Sequence, residues 1–140
     1  DLTKQAVDAE GWLNTGDLAR MDEDGFIRIT GRSKDILIRG GENVPVVEVE
    51  NLIYKHPAVL DAALVGVPDL RLGERGCLFV TLKDDAEFSL EEMTRYLEEN
   101  KMAKQYWPEF LELPEDLPRT LSGKIQKFKL RDMALKHATN

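Results

Sequence analysis

The sequence predicts an α+β fold, a small sandwich of about three strands with helices packed on them, preceded by a β-hairpin. Three observations predict it. Residues 26–30 (Phe-Ile-Arg-Ile-Thr) alternate apolar and polar side chains, while residues 61–67 and 76–83 are short apolar runs rich in β-branched side chains, and strands produce both patterns. Val46, Val49, Leu52 and Ile53 recur instead at three- and four-residue intervals, the stripe of an amphipathic helix. The two kinds of segment interleave along 140 residues, one domain's length, without an internal repeat.

Taken in order, residues 17–21 and 26–30 flank the turn Asp22-Glu23-Asp24-Gly25 and read as a hairpin with one half-buried face. A second short strand, 36–39, runs into Gly40-Gly41, where a backbone free of Cβ atoms turns sharply or approaches a ligand closely. Pro45 suits the first turn of a helix over 45–55, and His56-Pro57 ends it, because a residue before proline disfavours the helical region. The runs 61–67 and 76–83 pair antiparallel across the polar loop 68–75. Ser89 and Glu92 form a capping box that starts a helix reaching about residue 100, with Leu90, Met93 and Leu97 on one side. After Pro108 come a strand at 109–113, a turn-rich stretch at 114–118 and a last helix over 127–136.

Composition narrows the function classes. Hydrophobic residues make up 42% and charged residues 32%, a balance that excludes disordered and collagen-like chains. The longest apolar runs, such as 62–67, fall far short of the roughly 20 residues of a membrane-spanning helix. Residues 1–4 carry neither the basic nor the apolar part of a secretory leader, so the expected compartment is cytoplasmic. A net charge of −7 repels polyanions, and nucleic acid is not an expected partner. Cys77 is the single cysteine and lies in an apolar run, which predicts a buried, inert thiol. His56 and His137 match no ligand spacing, so no metal site is expected from these residues. Charge is uneven, with eleven acidic and three basic residues over 84–116 but six basic and one acidic over 119–136. That cationic end complements a helix dipole or meets a phosphate-bearing small ligand.

Three motifs could carry chemistry. Leu121-Ser122-Gly123-Lys124-Ile125 puts a primary amine on a loop between prolines and a helix. Pro118 and Ile125 stand where a Walker A loop needs Gly and Ser or Thr, so it is not that phosphate cradle. Thr15-Gly16-Asp17 sets a short carboxylate at a strand entrance, where it either caps the turn or accepts from two vicinal ribose hydroxyls. Gly31-Arg32-Ser33-Lys34-Asp35, with Gly40-Gly41-Glu42-Asn43, joins cations to a glycine-lined loop, either a salt-bridged turn or a seat for a phosphate or thread-like ligand.

Their order and spacing say more than each alone. Gly11-Trp12-x-x-Thr15-Gly16-Asp17, then Gly31-Arg32-x-Lys34-Asp35 leading to Gly41-x-Asn43-Val44 and Glu48-Val49-Glu50, then Val67-Pro68-Asp69, then Pro118-Arg119-Thr120-x-Ser122-Gly123-Lys124-Ile125, resembles the C-terminal part of the adenylate-forming acyl-CoA synthetases. The resemblance covers nearly the whole chain.

It implies an enzyme piece in which residues 1–33 end the large N-terminal adenylating domain and residues 34–140 form the small mobile domain. Such enzymes join a carboxylic acid, here fatty or related, to ATP as acyl-AMP, then pass the acyl group to coenzyme A. By resemblance Lys124 is the adenylation lysine, Asp17 and Arg32 bind ATP or AMP, Lys34 is the hinge, and Gly40 and Gly41 line the coenzyme A tunnel. Mg2+ is implied as well, with ligands mostly in the large domain, and that domain is the implied partner. The chain alone is expected to be inactive. Two departures stand out: Val46 where the family often has proline, with Pro45 beside it, and Gln105-Tyr106-Trp107 where a basic residue commonly precedes the proline matching Pro108. No contact to the nucleotide of coenzyme A is therefore assigned. Competing readings are another adenylating enzyme, carrier-protein-loading or luciferase-like, and a non-catalytic module that keeps the fold.

Overall fold

The structure is a computed structural model and describes residues 1–139. A short helix α1 (Leu2–Ala6) precedes an antiparallel hairpin, β1 (Asp17–Met21) and β2 (Ile27–Arg32). Its turn is fixed by Asp22, whose carboxylate accepts from the amides of Asp24 and Phe26, while Gly25 takes φ +85°. The half-buried face expected of this hairpin is absent. Met21 is 71% and Ile27 68% exposed, because nothing in residues 34–139 packs against them.

The rest forms one five-stranded sheet with helices on both faces. Strands β3 (Leu37–Arg39) and β4 (Glu42–Val44) make a second hairpin, then come α2 (Val46–Tyr54), β5 (Val59–Asp69), β6 (Gly73–Leu82), α3 (Leu90–Glu99), β7 (Phe110–Glu112) and α4 (Lys127–Ala134). The strand order is β4-β3-β6-β5, and β7 adds parallel to β6 on the β3 side. Gly40 and Gly41 hold φ of +59° and +84°, a two-residue turn that side chains with Cβ atoms resist. Strand β4 has no counterpart among the sequence expectations, since three residues give too little alternation to read.

The long β5–β6 pair is the spine. Ala62 and Leu64, opposite Val80 and Leu78, face α2 and α3, while Ala63 and Val65, opposite Phe79 and Cys77, face α4. Burial on both faces explains why these strands read as continuous apolar runs. The pairing runs further than expected, leaving a loop of three residues, 70–72. On α2, Val46, Val49 and Ile53 are buried and Leu52 partly so.

Helix α3 begins at the expected Ser89 cap, with Ser89 Oγ accepting from the Glu92 amide at 3.1 Å, but only this half of the expected capping box forms among the described residues. The Glu92 carboxylate lies 3.4 Å from His56 Nε2. Met93 and Leu97 are buried, but Leu90, expected beside them, is 44% exposed. Phe88, one residue before the cap, enters the core with Met93 instead, a hydrophobic staple that fills the place of the first-turn leucine.

Candidate functional site

The residues singled out by sequence fall into three places. At the open end of the first hairpin, Asp17 and Arg32 are register partners, and Arg32 Nε donates to Asp17 Oδ1 at 3.3 Å. Both are part-exposed, so carboxylate and guanidinium present one polar edge. Lys34 lies two residues beyond, in a 3-10 turn over Ser33–Asp35.

Around Lys34 the chain changes its attachments within one residue. The Ser33 amide and hydroxyl both donate to the Gly16 carbonyl, at 2.8 and 3.1 Å, tying Ser33 to the hairpin. Arg131 on α4 donates to the Lys34 carbonyl at 3.0 Å and to Asp35 Oδ1 at 2.6 Å, tying the next peptide to the sandwich. No sequence spacing announces Arg131, 96 residues from Asp35.

Lys124 sits on a tight loop closed by the Arg119–Ile125 bridge. Thr120 organises it. Its amide donates to the Lys124 carbonyl at 2.8 Å, its Oγ1 accepts from the Lys124 amide at 3.1 Å, and Gly123 turns at φ +86°. Arg119 bonds the Gly123 carbonyl and pairs with Asp61 at 2.6 Å, while Lys127 pairs with Glu50 at 2.6 Å. Glu50 also accepts from the Leu64 amide, so both roots of the loop are fastened to β5. The amine is therefore exposed on a stiffly held stem.

The Gly40-Gly41 turn stands at the other end of β5, where the Gly40 amide donates to the Leu72 carbonyl at 2.8 Å. From Asp61, at the Lys124 end, to Asp69 the strand spans about 26 Å at ~3.3 Å per residue. The turn, Arg71, Leu72 and Glu74 line an open concavity. Arg71, absent from the sequence expectations, has no acidic partner among the described residues and leaves a cation beside the bare turn. Near Pro108, Lys104 lies over the Trp107 ring at 5.7 Å.

Cys77 belongs to none of these places. It is buried, and burial pushes its thiol up to about 12, so it carries no thiolate chemistry near neutrality. Among the described residues no group of three or more His, Cys, Asp or Glu could hold a metal ion, and no residue here is assigned to magnesium. Among them, too, no helix is long and apolar enough to cross a membrane.

Known proteins match along nearly the whole chain. Residues 48–124 match the family model of the AMP-binding enzyme C-terminal domain. A medium-chain fatty-acid–CoA ligase of Escherichia coli is 49% identical over 140 residues, 99% of this chain and 25% of that protein. A human mitochondrial medium-chain acyl-CoA ligase, ACSF2, is 44% identical over 135 residues, 96% of this chain and 22% of that protein. The chain thus spans about a quarter of the length of these relatives. Among solved structures, ATP-bound MatB from Rhodopseudomonas palustris superposes with a TM-score of 0.87 at 33% identity, over 99% of this chain and 27% of that one. Apo MatB, over the same 99% of this chain and 28% of its own, gives 0.76 at 34% identity.

Proposed function

Because the chain belongs to the AMP-binding enzyme C-terminal domain family of acyl-CoA synthetase-like adenylating enzymes, we propose that it ends an AMP-forming acyl-CoA synthetase acting on medium-chain fatty acids. The chain length is suggested by the names of the E. coli and human relatives. In this reading residues 1–33 complete a large domain, on which the exposed face of Met21 and Ile27 docks, and residues 34–139 rotate against it. The first half-reaction joins the carboxylate to the α-phosphate of ATP and releases pyrophosphate. The second transfers the acyl group to the thiol of coenzyme A and releases AMP.

The division of labour follows from residue chemistry. Asp17 accepts from the ribose hydroxyls, and Arg32, already bonded to it, steadies ribose and phosphate. Lys124 brings its ammonium to the reacting carboxylate and α-phosphate, where negative charge concentrates in transfer. After rotation the Gly40-Gly41 turn lines the path of the pantetheine arm, and Arg71 beside it meets a phosphate of coenzyme A. Magnesium, when bound, neutralises the phosphates of ATP. Lys34 is the pivot.

One observation carries this reading: the Lys124 loop and the glycine turn project from opposite ends of one rigid strand, so a single rotation exchanges them at a fixed site. The better superposition on ATP-bound than on apo MatB agrees with an arrangement suited to the first half-reaction. The test is Lys124→Ala in the full-length protein. Adenylate formation should fall about a hundredfold or more, the value of one charge-stabilising contact, while synthetic acyl-adenylate is still converted to thioester. Equal losses in both half-reactions would sink the exchange.

A further inference from the structure

The glycine turn is mounted on the sheet in an unusual way. Strand β3 meets β6 at one register pair, Arg39 opposite Gly73, and the ladder goes no further. Carboxylates fill the gap. Glu74 Oε2 accepts from the Ile38 amide at 2.8 Å. Glu109 does more: its own amide donates to the Gly76 carbonyl and its Oε2 accepts from the Gly76 amide, both at 2.9 Å. Those two bonds clamp Glu109 to β6 and leave Oε1 to receive Arg39 Nε. Gly76 permits the clamp, since a Cβ there would lie 3.2 Å from Pro108 Cα.

We propose that Glu109 is a positioning residue for the acyl acceptor, setting through Arg39 the height of the Gly40-Gly41 turn above the sheet. The inference rests on the reading of that turn as a wall of the coenzyme A path. Arg39 immediately precedes Gly40, and its guanidinium is held by a part-buried carboxylate that cannot swing. Without that strut, the turn keeps its bonds to β4, Leu72 and Glu74 but gains freedom to rock about them. The Lys124 loop, fastened at the far end of β5, does not feel the change.

The experiment uses the full-length protein with octanoate, ATP and coenzyme A. Glu109→Ala should raise the KM for coenzyme A about tenfold, as small misplacements of a binding wall do, and leave ATP–pyrophosphate exchange unchanged. Glu109→Gln, whose single amide oxygen can keep only one of the two acceptor bonds, to Gly76 or to Arg39, and without the charge, should fall between. Gly41→Ala, strained at φ +84°, serves as the reference for the turn itself. If Gly41→Ala raises that KM and Glu109→Ala does not, the strut is overturned. If neither raises it, the reading of the turn fails first. A loss shared equally by both half-reactions, with a lowered melting temperature, makes Glu109 a fold residue and also overturns the proposal.

Discussion

Thr81, near the end of β6, is 3% exposed, and among the described residues its hydroxyl has no hydrogen-bond partner. A buried unsatisfied hydroxyl costs on the order of 1–3 kcal/mol, and valine has nearly the same shape with a higher strand preference. Thr81→Val is therefore expected to stabilise the chain by about 1 kcal/mol, read as a higher urea midpoint with an unchanged slope. A lower midpoint would mean that the hydroxyl has a partner after all. Legibility divides sharply among single residues. Gly40, Gly41 and Gly123 can be read from sequence because positive φ is a property of one residue. Glu109 and Arg131 cannot, because their meaning lies in partners 70 and 96 positions away. Asp17 and Arg32 fall between, 15 apart but brought together by a hairpin whose turn is visible locally.

At the scale of elements, the 3-10 turn over Ser33–Asp35 matters most. Ser33 is bonded to Gly16 and Asp35 to Arg131, so in the proposed reading the torsions of Lys34 are where the two sides turn. Proline at 34 fixes φ near −65° and removes an amide, whereas alanine keeps the torsional freedom. If the present arrangement is the adenylating one, Lys34→Pro in the full-length protein should leave acyl-adenylate formation nearly intact and cut thioester formation severely. Lys34→Ala should impair neither step much. Pre-steady-state measurement of both half-reactions, with melting curves, decides it, and identical behaviour of the two variants would remove Lys34 as pivot. Helices and long strands were legible here through their periods and the Ser89 cap. Strand β4 was not, nor was the exposure of Leu90, because three residues hold no period and a first-turn side chain can yield its place to the residue before the cap.

For the molecule as a whole, every member of the two buried clusters lies between Leu37 and Ala134. The hairpin at 17–32 alternates like a strand pair with an inner face, yet its large apolar side chains Met21, Ile27 and Ile29 stay exposed, and in the proposed reading that face docks on the large domain. Sequence periodicity shows that a side is meant to be covered and cannot show by what. The energetic consequence is direct: burial supplies ~25 cal/mol per Å² of apolar area, and residues 1–33 contribute no member to either buried cluster. Removing residues 1–33 should therefore leave a cooperative domain whose melting temperature lies within about 4 °C of the whole chain's, the shift that about 1 kcal/mol produces at this size. Neither version should form acyl-CoA from octanoate, ATP and coenzyme A, since the proposed large adenylating domain is complete in neither. Calorimetry of the two chains makes the comparison. A truncated chain that melts without cooperativity would show that the ties from Gly16 to Ser33 hold the sandwich together, and that the fold does not divide at Lys34.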